Sequence, residues 1–380
     1  MANFVFYNPT RVVFGKGTIK DIGKLMKENG AKKALLVAGS GSIKNNGVYN
    51  TVVKSLKDSG VLWVEAWGVR ANPVLSKAKE MIDLARKEGV DSVLAVGGGS
   101  VIDTAKSVAA GFYLDDIWEA YEHKAGIEKA LPVYTVLTIS AAGSEMDQFA
   151  VLTNEEKKRK WNIASDAIYP KVSIVDPSVQ ATLPWDQTVN GALDALAHIM
   201  EFYFVGKNEE TVMAIDEALM RTIIRSVDVL KKDPESYDPR ADLAWAATLA
   251  LNGTSGAGLR GGDWSSHWIE HALSALYPDV AHGAGLGVIF PAWIEYVKEE
   301  NPATFKRWAK NVWGAKDASS AVKKMRERIK KWGNPVSLRE FGVKKEDLGA
   351  IADKAIEVGK LGALKELGRA EVLAILKKAY

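Results

Sequence analysis

Residues 92–106 read SVLAVGGGSVIDTAK, and the fold of the first half of the chain turns on how they divide. The apolar run 92–96, closed by glycine, has the length and composition of a buried strand. Gly97, Gly98 and Gly99 then let the backbone approach a ligand closely, and a helix opening near Val101 points its first amides at whatever sits there. Ligands of open α/β sheets bind at the carboxyl ends of parallel strands, so a pyrophosphate is the expected guest of this turn. Ser100 and Asp103 also have nearly capping-box spacing, which offers the plainer reading of a helix start held by its own side chains.

The same rhythm extends on both sides. Apolar runs at 34–38, 61–64, 133–138 and 172–175 alternate with helix-period segments at 49–59 and 76–88, the pattern of a parallel sheet wrapped by helices. Beyond Pro177 and Pro184 the character changes to about eight long helical patterns, among them 186–204, 209–232, 241–251 and 281–299. The expected organisation is an α/β Rossmann-like domain over 1–180 and an all-α domain over 181–380, with no internal repeat.

Composition agrees with a folded two-lobed protein and removes several functions. The chain has 380 residues, 47% hydrophobic and 26% charged, with no low-complexity stretch. Its 50 basic and 47 acidic residues leave a formal charge of +3, no footprint for nucleic acid or a membrane surface. Most of the cluster Lys157-Lys158-Arg159-Lys160 reads as a solvated loop, Lys160 excepted. Without cysteine there are no disulfides, thiolate metal sites or cysteine nucleophiles, so any metal must rest on histidine and carboxylate. No apolar run approaches a membrane span and no secretory pattern opens the chain, so a cytoplasmic location is expected.

Two further features carry chemistry. Gly39-Ser40-Gly41-Ser42 follows the run 34–38, where a dinucleotide fold meets the adenosine ribose. An acid there would accept from a ribose 2′-hydroxyl and repel a 2′-phosphate; none is present, and Lys44 is near, so the turn favours NADP over NAD. Of the five histidines, four fall between residues 198 and 282. Asp194 and His198 are one helical turn apart, His267 and His271 repeat the spacing, and His282 precedes Gly283. Two such pairs and another histidine point to a metal site whose nitrogen and carboxylate donors suit Fe(II) or Zn(II) rather than Mg(II) or Ca(II). In His267-Trp268-Ile269-Glu270-His271 the acid lies at the wrong position for a zinc-peptidase base, which makes a peptidase the weaker reading.

The run Gly97 to Lys106, Gly143-Ser144-Glu145, Asp176-Pro177, Asp194-x-x-x-His198, His267-x-x-x-His271 and His282-Gly283 together resemble the iron-containing (group III) alcohol dehydrogenases, within them the NADP-preferring, butanol-dehydrogenase-like branch. The resemblance implies a dehydroquinate synthase-like fold, with cofactor on the first lobe, metal on the second and the active site in the cleft between. By motif position it assigns the metal to Asp194, His198, His267 and His282, and makes His271 the additional histidine near the substrate, a candidate catalytic residue for proton relay. It carries the dinucleotide to Gly97, Gly98, Gly99, Ser100 and Asp103, with Thr138 and Lys160, and the NADP-selecting turn to Gly39, Ser40 and Ser42. One departure is Ala141-Ala142, where many relatives have threonine before Gly-Ser-Glu. A homodimer is implied, with an edge strand near Phe4 to Phe6 able to pair across it.

The expected reaction is hydride transfer between NADP(H) and a metal-bound primary alcohol or aldehyde, the metal being Fe(II) or Zn(II). Phe149, Trp264 and Trp268 suggest an apolar substrate pocket. The alternatives are a dehydroquinate synthase-like or polyol enzyme of the same fold, or a metal- and nucleotide-binding protein without turnover. The first needs a cluster of basic residues for a phosphate-bearing substrate, and none stands near Asp194 or His267 in the sequence.

Overall fold

In the computed structural model, which describes residues 1–380, the first half of the chain resolves into β1 (Arg11–Phe14), α1 (Ile22–Glu28), β2 (Lys33–Ala38), α2 (Ser42–Asn45), α3 (Val48–Asp58), β3 (Leu62–Ala66), α4 (Leu75–Glu88), β4 (Ser92–Gly97), α5 (Gly99–Gly111), α6 (Ile117–Tyr121), β5 (Val133–Leu137), β6 (Phe149–Asn154), β7 (Arg159–Ala164) and β8 (Pro170–Val175). Six strands form one parallel sheet in the order β1-β8-β5-β4-β2-β3. The two-residue side-chain period sorts the central strands onto two covered faces. Leu35, Val37, Val93 and Ala95 pack with residues of α4 and α5, whereas Leu36, Leu94 and Val96 pack with residues of α1 and α3. Burial on both faces is why these strands read as unbroken apolar runs.

Several local expectations are corrected. Residues 4–6 form no strand; the sheet edges are β1, paired with β8, and β3, paired with β2, and Val5 is 91% exposed. The basic cluster is not simply a solvated loop, because Lys157 and Lys158 make the turn of a β6–β7 hairpin while Arg159 and Lys160 belong to β7. Lys160 is buried there and donates to Asn72 Oδ1 at 3.0 Å, a partner distant in sequence. Helix α5 starts at Gly99 with Gly98 as its N-cap and no side-chain cap, so Ser100 lies inside the first turn and the capping reading fails.

The second half is helical: α7 (Trp185–Tyr203), α8 (Glu210–Leu230), α9 (Tyr237–Leu251), α10 (Ser265–Leu276), α11 (His282–Val297), α12 (Pro302–Trp313), α13 (Ala318–Trp332), α14 (Leu348–Ala355) and α15 (Arg369–Ala379). By internal packing the chain divides into a sheet unit, Asn8–Leu183 with Glu235–Ala244, and a helical unit, Met1–Tyr7 with Pro184–Pro234 and Trp245–Tyr380. The first residues join the helical unit through the Ala2 amide, which donates to Gly258 O at 2.8 Å. Ala244 packs into the core that holds Trp118 and Tyr121, which ties its segment to the sheet unit. A division by sequence position has no access to either contact.

Within the helical unit, α11 is apolar all round and runs through the core, with Leu286, Ile289, Phe290 and Trp293 fully buried. Its first turns meet α7 backbone to backbone. A Cβ on Gly283 would stand 1.9 Å from Asn190 O, and one on Gly287 would stand 2.7 Å from Leu193 Cδ1. Gly283→Ala is therefore expected to destabilise the helical unit by about 2 kcal/mol or more, lowering its calorimetric midpoint by roughly 4–8 °C. Gly126→Ala, with nothing within 4 Å of the added carbon, should leave the midpoint unchanged and serves as the control.

Candidate active site

Three helices of the helical unit build one polar pocket. The 3.6-residue period of α7 stacks Asp194, His198 and Glu201 on one face; α10 contributes His267, Glu270 and His271; α11 begins with His282. The close approach of Gly283 to α7 brings His282 Nε2 to 3.6 Å from Asp194 Oδ1. Ligand atoms of Asp194, His267 and His282 lie within 4.8 Å of one another. His198 stands beside this trio, its Nδ1 3.6 Å from Asp194 Oδ1 and its ring stacked on His267 at 4.8 Å between centroids. His271 lies next to His282, ring centroids 5.3 Å apart, and its ligand atom forms a second such group with those of Glu270 and His282.

The pocket suits a divalent cation. His198 Nδ1 and His267 Nε2 are buried and make no hydrogen bond to protein. Buried nitrogens of this kind cost free energy unless something accepts their lone pairs or their protons. Burial, reinforced by the neighbouring His267 and His282, holds the His198 pKa well below its ordinary value, so its ring is a neutral donor. One carboxylate with imidazole nitrogens is the donor set of Fe(II) or Zn(II).

Two glutamates complete the pocket: Glu201 is not among the residues singled out from sequence, and Glu270 is weighed there only as a peptidase base. His267 Nδ1 donates to Glu201 Oε1 at 2.7 Å, and His282 Nδ1 donates to Glu270 Oε2. Glu201 also accepts from the Trp264 amide at 2.6 Å and the Ser266 hydroxyl at 2.5 Å. The signal was present in part: Glu201 lies three residues past His198, on its face, and Glu270 lies within the His267–His271 stretch.

The apolar lining divides. Trp264, at φ 62° just before α10, packs on His267 with centroids 5.2 Å apart, and Trp268 packs on His271 at 5.8 Å. A left-handed tryptophan costs about 1–3 kcal/mol, which its amide bond to Glu201 helps to offset. Phe149 instead starts β6 in the sheet unit, where its carbonyl accepts from Lys106 at 2.8 Å.

In the sheet unit the glycine turn follows β4. A Cβ on Gly97 would lie 2.5 Å from Val101 Cγ2, so glycine lets strand and helix meet; a Cβ on Gly98 would lie 3.1 Å from Ile139. The Thr138 amide donates to Gly97 O at 2.9 Å, bringing residues 138–142 alongside Gly97, Gly98 and Gly99. Ser100 is half-buried at that turn. Gly39, Ser40 and Ser42 follow β2, the strand next to β4, with Ser40 and Ser42 exposed. Lys160 lies on β7 and donates to Asn72 Oδ1 at 3.0 Å.

Asp103 is committed to protein. Its oxygens accept from Ser144 Oγ at 2.7 Å and the Val151 amide at 3.1 Å, and burial pushes its pKa up to about 7. One turn on, Lys106, with no exposed surface, donates to Asp147 Oδ1 at 2.7 Å. The pair Asp103 and Lys106 thus binds the segment 144–151 to α5.

Comparison with known proteins agrees with this architecture. The family described as iron-containing alcohol dehydrogenase matches residues 9–177, and the C-terminal family of Fe-containing alcohol dehydrogenases matches residues 188–380. The chain is 40% identical to NADH-dependent butanol dehydrogenase A of Clostridium acetobutylicum, covering 100% of both. It is 32% identical to the NADPH-dependent aldehyde reductase YqhD of Escherichia coli, covering 94% of both. The crystal structure of NADH-dependent butanol dehydrogenase A from Thermotoga maritima superposes with a TM-score of 0.98 at 51% identity, covering 100% of this chain and 99% of that one. Matched along both its sheet unit and its helical unit, the chain belongs to the iron-containing alcohol dehydrogenase family.

Proposed function

We propose that the chain is a metal-dependent NADP(H) alcohol dehydrogenase and aldehyde reductase acting on short primary alcohols and their aldehydes. The observation that carries this reading is the convergence of Asp194, His198, His267 and His282 on one buried pocket. The butanol named for relatives of 40% and 51% identity makes butanal the first substrate to try.

A divalent cation bound in the pocket would supply Lewis-acid polarisation of the aldehyde carbonyl and NADPH would supply hydride, so that aldehyde, NADPH and one proton would give alcohol and NADP⁺. Asp194, His198, His267 and His282 would hold that cation. His271 hands the proton from an imidazole nitrogen toward the substrate oxygen and takes it back in the reverse direction. Trp264 and Trp268 cover the histidines with apolar surface and keep water from them. In the sheet unit, Gly97, Gly98, Gly99 and Ser100 would cradle the pyrophosphate, with Thr138 on the same turn and Lys160 toward the dinucleotide from β7, while Asp103 keeps the neighbouring segment in place.

The preference for NADP rests on the turn after β2. No carboxylate follows the strand from Gly39 to Lys44, and Ser40, Ser42 and Lys44 are exposed. Lys44 Nζ sits 4.2 Å from the Trp67 ring, while Glu65 of β3 is occupied by Tyr49 and Trp67. A 2′-phosphate would find a cation and hydroxyls here. The same reading has the enzyme act in the cytoplasm as a homodimer, the exposed Phe4, Val5, Phe6 and Tyr7 supplying apolar surface for a second copy; no helix is long and apolar enough to cross a membrane.

Three measurements test these assignments. Chelation should abolish butanal reduction and added Fe(II) or Zn(II) restore it; full activity in metal-free protein would refute the metal role. His271→Ala should lower kcat by about 100-fold or more at unchanged metal content, whereas parallel loss of metal would make His271 a ligand or structural. For the cofactor, kcat/KM should favour NADPH over NADH by about 10-fold or more, and Ser40→Asp should reverse the order by placing a carboxylate against the 2′-phosphate. Equal use of both cofactors by the unaltered enzyme would end the NADP assignment.

A further inference from the structure

The pocket contains more buried carboxylate than four ligands need. Glu201 and Glu270 each have no exposed surface, and each meets an imidazole at Nδ1. A carboxylate so placed is tolerated only when donors surround it. Glu201 has the Trp264 amide, the Ser266 hydroxyl, the His267 amide at 3.4 Å and His267 Nδ1, so one side chain from α7 both caps α10 and grips its first histidine. Space for Glu270 is kept by Gly285, where a Cβ would come within 3.0 Å of Glu270 Cγ and 3.2 Å of its Oε1. Gly285 has no left-handed backbone requirement, so its lack of a side chain serves this approach.

We infer that Glu201 and Glu270 are the positioning residues of the metal pocket, each holding one histidine by Nδ1 so that its Nε2 is presented to the cation. The inference rests on the proposed metal site. A carboxylate acceptor at Nδ1 selects the tautomer with hydrogen on that nitrogen, leaves the Nε2 lone pair facing away from the acceptor and makes it more basic. The geometry matches: with Nδ1 on Glu270, His282 Nε2 lies 3.6 Å from Asp194 Oδ1, and with Nδ1 on Glu201, His267 Nε2 is buried without a protein partner. The two grips come from different helices. Glu201 reaches across from α7 to α10, and Glu270 reaches from α10 to the start of α11, so the histidines are oriented by the same contacts that bind the three helices together. The rings are therefore held in place before the cation arrives, and the ordering cost is met in folding rather than in binding.

The test uses the full chain, stripped by chelation and titrated with Zn(II) against a chromophoric chelator, with the visible spectrum of the Co(II)-loaded protein as a second readout. Glu270→Gln should weaken Zn(II) binding by about 10–100-fold and shift the Co(II) bands, while the melting temperature of the stripped protein stays near that of the unaltered chain. Gly285→Ala keeps the carboxylate but crowds it off His282, and should weaken binding in the same direction. Glu201→Gln should do likewise; because it also uncaps α10, Glu270→Gln and Gly285→Ala decide the question if that variant does not fold. Glu217→Gln removes another buried carboxylate of the helical unit, one whose partners are Tyr203, Arg307 and Asn311, and should leave Zn(II) affinity unchanged. Zn(II) affinity and Co(II) spectra of Glu270→Gln identical to those of the unaltered chain would overturn the inference. Failure of the unaltered stripped chain to take up one equivalent of Zn(II) would instead overturn the metal site itself, and the inference with it.

Discussion

The helical unit depends on how closely α11 lies against α7. The carbonyl of Asn190 occupies space that a side chain at position 283 would need, so the two backbones meet with nothing between them. This contact sets His282 opposite Asp194, one turn further along α7 from Asn190. Packing interiors are dense and do not deform continuously, so the spacing of His282 and Asp194 follows from the spacing of the helices. The polar pocket is in this sense a product of backbone packing, and the glycine after His282 belongs to the site as much as the histidine does.

The sheet unit solves a related problem differently. Its glycine turn lets α5 start directly over the end of β4, and buried charge then secures the neighbouring segment. Lys106 and Asp147 share an ion pair with essentially no solvent contact, the lysine also donating to Asp147 O and Phe149 O. Such a pair adds little net stability over apolar packing, but leaving either member alone is costly, which locks one arrangement against its alternatives. Asp103, beside it, is spent on Ser144 and Val151. Those two hydrogen bonds hold the segment 144–151 against α5.

Much of this was legible from the chain alone. Apolar runs of strand length predicted β2, β4, β5 and β8 because both faces of a parallel sheet are covered, and one-turn spacing predicted that Asp194 would share a face with His198. The β6–β7 hairpin was hidden because Arg159, Lys160 and Asn162 look like solvent-facing residues; Lys160 is paired with Asn72, 88 positions away. The edge strand was expected at 4–6 and stands at β1, since Phe4, Val5 and Phe6 have strand-like composition but no ladder to join.

Local periodicity and turn chemistry, which act over a few residues, were enough for the sequence by itself to determine the α/β and helical halves and the glycine turns, and to bring the histidines and Asp194 forward as candidates for a metal pocket. Tertiary structure alone decided which partners each polar group found. It gave Glu201 and Glu270 to the histidines, gave Asp103 to Ser144 and Val151, and moved residues 1–7 to the helical unit and 235–244 to the sheet unit. The reason is physical: a buried hydrogen bond joins atoms made neighbours by packing, and packing is a property of whole helices and sheets that no window of sequence contains.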